Sequence, residues 1–261
     1  MKYMNEPKLT LVGAGPGDPE LFTVKGVKAL QKADVVLYDA LVDSELLKYA
    51  PLARKVFVGK RKGIHHKTQD EINEMIVKYA LNYGNVVRLK GGDPFIFGRG
   101  NEEIEYAASF GISTDVVSGI SSCTAVPTCA GISLTHRNIA QSFWVITGTT
   151  SENKLSNDVQ LAAKSTATVV ILMGMGKMEE IVSCFVHAGK GDLPVAVVQN
   201  GTTSDEKWGM ATIKTLQKMV FKKQLGNPAI IIIGEVVALS SKWKDGIFSY
   251  FEKQKSGLVE I

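Results

Sequence analysis

Gly91-Gly92-Asp93-Pro94-Phe95-Ile96-Phe97-Gly98-Arg99-Gly100 follows the apolar run Val86-Val87-Arg88-Leu89. Closely spaced glycines and a proline after a buried strand make a shaped backbone surface, because glycine alone lets main-chain N–H and C=O groups come close to a ligand. A second loop of this kind, Gly13-Ala14-Gly15-Pro16-Gly17-Asp18-Pro19, follows the apolar run Leu9 to Val12. Two specialised loops after two strands point to the carboxyl edge of one sheet, where open α/β folds bind ligands.

Working outward, short apolar runs alternate with amphipathic segments. Leu9 to Val12, Val35 to Tyr38, Lys55 to Val58, Asn85 to Leu89 and Thr114 to Val117 read as strands. The clearest helix starts at Thr68, where Thr68 and Glu71 form a capping-box pattern and Ile72, Met75, Ile76, Tyr79 and Ala80 recur at helical spacing. This alternation predicts a parallel αβα sheet. Beyond Gly131 the pattern restarts, with strands at Phe143 to Thr147, Ala167 to Met173, Leu193 to Gln199 and Ala229 to Ile233. Helices are expected at Asn157 to Lys164, Met178 to His187 and Thr212 to Lys222. The fold class is therefore α/β, with two αβα domains, 1–135 and 136–242, the boundary falling near Ser133 to Gln141, and a tail from 243 to 261. A cleft between the domains is the expected small-molecule site.

A length of 261 residues with 45% apolar and 21% charged composition suits a globular enzyme, and a formal charge of +4 is too mild to argue for nucleic acid. The charge is concentrated, however. Arg54, Lys55, Lys60, Arg61, Lys62 and Lys67, with His65 and His66, stand without an intervening acid, which suits an acidic substrate or a solvated loop. Cys123, Cys129 and Cys184 are odd in number and lack C-x-x-C spacing, so neither a disulfide framework nor a zinc site is expected. No targeting segment or membrane span is read, so a cytoplasmic, soluble protein is expected.

Gly13-Ala14-Gly15-Pro16-Gly17 invites a dinucleotide reading, with Asp39 at the end of the second strand as ribose ligand. Pro16 removes an N–H and helical character waits until about Thr23, so a pyrophosphate would not meet a helix N-terminus. An uncharged nucleoside fits better than NAD.

Val12 to Asp18, Tyr38-Asp39, Val58-Gly59-Lys60-Arg61, Gly91 to Gly100, Ser118-Gly119-Ile120, Leu134-Thr135-His136-Arg137, Asn200-Gly201-Thr202 and Pro228-Ala229 together resemble the tetrapyrrole methylase family, over nearly the whole chain up to about Leu239. Within it, the Gly91 to Gly100 motif followed by Leu134 to Arg137 is similar to the branch that methylates uroporphyrinogen III. The resemblance implies two αβα domains, S-adenosylmethionine bound between them, S-adenosylhomocysteine as product, no metal, and a homodimer. It implies cofactor contacts at Pro16, Gly91, Gly92, Asp93, Ile96, Ser121, Ser122, Met173, Gly201, Thr202 and Ala229. The family commonly has Thr-Ala where Ser121-Ser122 stand, and Glu in place of Gln199. It further implies C-methylation of uroporphyrinogen III at C2 and C7 to precorrin-2, feeding sirohaem or cobalamin. With no room for a preceding dehydrogenase and chelatase module, a monofunctional enzyme is expected.

Carbon methylation leaves positive charge on the ring that is relieved by loss of a proton, so a carboxylate at the ligand edge is useful. Asp39 is the candidate, either as proton acceptor or as a carboxylate that binds the ribose or caps a turn. Lys60 is the family's second candidate for proton handling, with substrate anchoring the alternative. Arg61, Arg99 and Arg137 are candidate clamps for substrate carboxylates, because a guanidinium grips a carboxylate through two parallel hydrogen bonds. Arg99 could instead hold its own loop, and His136 could cap a turn. The competing functions are methylation of another tetrapyrrole or of RNA on the same fold, and a nucleotide-binding module without catalysis.

Overall fold

The computed structural model describes residues 6–59 and 67–240. They fall into two compact units divided at Ser121/Ser122.

The first unit runs β1 (Lys8–Gly13), α1 (Val24–Gln31), β2 (Val35–Tyr38), β3 (Arg54–Phe57), α2 (Gln69–Tyr83), β4 (Asn85–Lys90), α3 (Gly100–Ser109) and β5 (Ser113–Val117). Each strand lies within one residue of its expected span. The sheet order is β3-β2-β4-β1-β5 and every neighbouring pair is parallel. All five carboxyl ends therefore share one edge. Alternation along the strands divides the core. Leu9, Leu11, Val35, Leu37 and Val86 pack on Ile72, Ile76, Ala80 and Ala107, from α2 and α3. Val12, Val36, Val87, Leu89 and Val117 pack on Leu30, Leu46 and Ala50 on the other face. The Thr68–Glu71 capping box is present: Glu71 N donates to Thr68 Oγ1 at 3.2 Å and Thr68 N to Glu71 Oε2 at 2.6 Å. Such a cap is worth about 1 kcal/mol and fixes where α2 begins.

The second unit runs α4 (Ser122–Cys129), β6 (Phe143–Thr147), α5 (Asp158–Lys164), β7 (Thr168–Leu172), α6 (Met178–His187), β8 (Pro194–Gln199), β9 (Lys207–Thr212), α7 (Leu216–Lys223) and β10 (Ala229–Ile233). Its sheet order is β6-β7-β10-β8-β9. Here the parallel expectation fails. β6 and β7 are parallel, but β10 runs antiparallel to both β7 and β8, and β9 is antiparallel to β8. The cause is one unpredicted strand. A single helix after β8 would return the chain to a parallel strand, whereas β9 adds one more traverse before α7, so β10 enters at the edge where β8 ends. Thr212, expected to open a helix, closes β9 instead. The strand is inconspicuous because Gly209 interrupts it; the Met219 side chain of α7 fills the space a β-carbon would take there, its Sδ 2.1 Å from that position.

The division at Ser121/Ser122 lies N-terminal to the 135/136 boundary read from the sequence. Cys123 and Val126 of α4 share a core with Val170, Ala196, Val198, Ile230 and Ile232, which assigns the helix to the second unit. On the other face of this sheet, Val169, Ile171, Val197 and Ile231 pack on Val159, Ile181, Phe185 and Leu216 from α5, α6 and α7.

Candidate active site

In the first unit, the loops after β1, β4 and β5 are locked together by their main chains. Gly15 N donates to Gly92 O at 3.2 Å and Gly92 N donates back to Gly15 O at 2.7 Å. A β-carbon on Gly119 would stand 2.2 Å from Gly92 O, inside any tolerable contact. Asp93 acts as a staple: Oδ2 accepts Gly119 N at 3.1 Å and Oδ1 accepts Phe95 N at 2.9 Å. Gly92 itself, at φ +67°, has no close neighbour among the described residues where a β-carbon would be; Ser121 Cα, at 4.0 Å, is at ordinary contact distance. Ile96 is exposed in the same loop, with Phe95 and Phe97.

Pro16 lies between Gly15 (φ +83°) and Gly17 (φ +145°). Asp18 then caps the short turn Pro19–Leu21, and α1 starts only after its cap Thr23. No helix N-terminus meets this loop, which removes the feature a pyrophosphate uses.

Asp39 immediately follows β2. Its Oδ1 accepts Leu41 N at 3.1 Å and its Oδ2 accepts Arg88 Nη2 at 3.3 Å. Glycines seat this loop on both sides: a β-carbon on Gly59 would lie 2.4 Å from Ala40 N, and one on Gly91 would lie 2.7 Å from Leu41 Cβ. Arg88 leads to charges that the sequence reading did not single out. Its Nε donates to Glu103 Oε1 at 3.3 Å, Lys90 Nζ donates to the same oxygen at 2.8 Å, and Gln69 Nε2 reaches it at 3.2 Å. Burial, reinforced by neighbouring Arg88, holds the Lys90 ammonium below the usual lysine range, with Glu103 opposing. The available signal was two cations two residues apart in a strand otherwise read as buried, since such charges need an anion from the covering helix.

Arg99 pairs with Glu102 rather than with loop carbonyls, through Nε to Oε1 at 2.8 Å and Nη2 to Oε2 at 2.6 Å. This pairing raises the Arg99 guanidinium and lowers the Glu102 carboxyl. Arg54, counted with the basic run, sits at the amino end of β3. It donates to Tyr83 Oη at 3.0 Å and stacks over Tyr79 and Tyr83. It is therefore not at the carboxyl edge with Asp39. Lys60 and Arg61, with Lys62, His65, His66 and the tail from 243, lie outside the described residues.

In the second unit, the carboxyl ends of β6, β7 and β8 and the start of β10 share one edge. Met173 follows β7 at φ +56°, half exposed, its carbonyl accepting Thr149 Oγ1 at 2.8 Å. Gly201 follows β8 and packs so tightly on α4 that a β-carbon would lie 2.4 Å from Val126 Cγ1. Thr202 is held at φ +72°, its N–H donating to Glu206 Oε2 at 3.1 Å. Ala229 stands opposite Gln199 in the ladder, and Gln199 Oε1 accepts Gly226 N at 2.7 Å. Ser121 ends the first unit and Ser122 opens α4. Arg137 is exposed in a turn closed by the main chains of His136 and Ala140, at 2.8 and 2.9 Å. Among non-glycine residues with positive φ, Phe97, Arg99, Met173, Asn200 and Thr202 all belong to these loops, and left-handed backbone in non-glycine residues gathers where a ligand is shaped.

Glycine-built loops at the carboxyl edge of a parallel sheet, beside a carboxylate, are the arrangement at which open α/β proteins bind ligands. The model of the Tetrapyrrole (Corrin/Porphyrin) Methylases matches residues 8–217, and the chain belongs to that family. It is 46% identical over 233 residues to the uroporphyrinogen-III C-methyltransferase of Methanocaldococcus jannaschii, covering 88% of this chain and 96% of that protein. Identity to the Methanobacterium ivanovii protein of the same name is 44%, over 85% and 94%. Among solved structures, the uroporphyrin-III C-methyl transferase of Thermus thermophilus complexed with S-adenyl homocysteine is similar at a TM-score of 0.77 and 36% identity, over 89% of this chain and 99% of that one. No helix among the described residues is long and apolar enough to cross a membrane.

Proposed function

We propose that this chain is an S-adenosylmethionine-dependent C-methyltransferase that methylates uroporphyrinogen III at C2 and C7, giving precorrin-2 and S-adenosylhomocysteine. The observation that carries the reading is the main chain at Gly92, held against the Gly15 main chain and with no neighbour closer than Ser121 Cα at 4.0 Å to its β-carbon position among the described residues. It fits a nucleoside held by N–H and C=O groups, with exposed Ile96 and Met173 offering apolar surface. By the family resemblance, the residues that would hold it are Pro16, Gly91, Gly92, Asp93, Ile96, Ser121, Ser122, Met173, Gly201, Thr202 and Ala229.

When bound, the cofactor supplies an electrophilic methyl group on a sulfonium that departs as a neutral thioether. The chain's own work is mainly positioning. Arg137, with Lys60 and Arg61, anchors the carboxylates of the macrocycle, where a guanidinium matches a carboxylate bidentately, and Arg99 joins them by exchanging Glu102 for a substrate carboxylate. Asp39 stands at the ligand edge as acceptor for the proton that leaves the substrate after carbon attack. A homodimer completes the proposal, and light scattering checks it. The central test is incubation of the purified protein with uroporphyrinogen III and methyl-labelled cofactor: two labelled methyl groups on the tetrapyrrole are expected, and an unlabelled product overturns the assignment.

A further inference from the structure

Glu103 is a carboxylate completely withdrawn from solvent, on the face of α3 turned to the sheet. Its Oε1 collects Arg88, Lys90 and Gln69, while its Oε2 has no partner among the described residues. Burial of an ion is costly unless opposite charges compensate it. Here two cations are balanced by two carboxylates, Glu103 and Asp39. The four groups differ in exposure: Glu103 is 0% exposed, Arg88 5%, Lys90 6%, and Asp39 24%. Only Asp39 comes to the ligand edge.

Arg88 is the rigid link. Nε is used by Glu103, Nη2 by Asp39, and Nη1 donates to Leu89 O at 2.9 Å. A planar guanidinium bonded on three sides has little freedom of rotation, so the place of Glu103 on α3 sets the plane in which Arg88 meets Asp39. Building on the reading of Asp39 as proton acceptor, we propose that Glu103 is a positioning residue: acting through Arg88, it fixes the orientation of the Asp39 carboxylate. Without it Arg88 loses its inner carboxylate and keeps the Leu89 carbonyl, and the two cations of the cluster are left with Asp39 as their one counter-charge.

A double-mutant cycle separates this role from general support of the fold. Glu103→Gln, Asp39→Asn and the double variant are compared in the full chain for kcat, for KM toward uroporphyrinogen III, and for S-adenosylhomocysteine binding by calorimetry. Asp39→Asn is expected to lower kcat by about 100-fold or more. Glu103→Gln leaves an amide oxygen for the three donors but removes the charge that holds Arg88 and Lys90 to it, and is expected to lower kcat by up to about 100-fold, the scale of a small misplacement, with product affinity and KM held. The double variant is then no slower than Asp39→Asn alone. If Glu103→Gln does not fold, Glu103→Asp carries the same cycle, since it keeps the charge but draws the carboxylate back from Arg88. Multiplying losses in the double variant overturn the inference and leave Asp39 its role, as do a wild-type kcat at Glu103→Gln or a parallel fall in product binding. A wild-type kcat at Asp39→Asn overturns both readings.

Discussion

Gly13 and Gly119 meet backbone to backbone: a β-carbon on Gly13 would lie 2.5 Å from both the Cα and the amide nitrogen of Gly119. The loops after β1 and β5 can therefore close only because neither residue carries a side chain. Gly119→Ala forces them apart and strains the Asp93 staple on the same amide. Overpacking of this kind costs about 1–3 kcal/mol. We expect a lower denaturant midpoint with an unchanged m-value, together with weaker S-adenosylhomocysteine binding by calorimetry; an unaltered midpoint would mean that the loops part without cost.

Asp39 carries the proposed proton transfer. Asp39→Asn preserves shape and keeps one of the two accepted hydrogen bonds while removing the base, so kcat should fall by about 100-fold or more while cofactor affinity changes far less. Rapid-quench kinetics beside calorimetry checks this. Equal losses in both would assign the carboxylate to the ribose.

Thr202 holds a β-branched residue at φ +72°, a conformation that costs on the order of 1–3 kcal/mol. Thr202→Gly relieves it, and Tm should rise by a few degrees while S-adenosylhomocysteine binding weakens as the loop loses its fixed shape. A fall in Tm would show that the Thr202 side chain contributes more than its backbone strain takes away.

Burial raises the Glu235 carboxyl above its ordinary value of 4.5, with Lys190 opposing. The folded protein thus binds this proton more tightly than the unfolded chain, so the group's stabilising contribution is present at low pH and is lost as pH rises through the folded pKa. Glu235→Gln removes the cost of the buried charge. Its Tm should exceed that of the parent by about 1–3 °C at pH 7–8, and the difference should vanish as pH falls below 4.5. A constant difference across pH would assign the effect to packing.

The sequence by itself determined the strands of the first unit, the Thr68 cap, and the glycine loops that follow β1 and β4. Each is written in local signals: alternation, capping chemistry, and residues free of a Cβ. It also supplied Asp39, which a strand end must deliver to the carboxyl edge. The direction of β10 was not legible, because it depends on β9, whose apolar pattern is broken by Gly209, packed under the Met219 side chain of α7. Nor was the placement of α4, whose Cys123 and Val126 join a core assembled from strands far along the chain. Tertiary structure alone decided that Arg88, Lys90, Glu103 and Asp39 form one charged cluster. A buried charge is tolerated only where folding brings its counter-charge, and that partner stands on a different element from its cations, a placement no local pattern encodes.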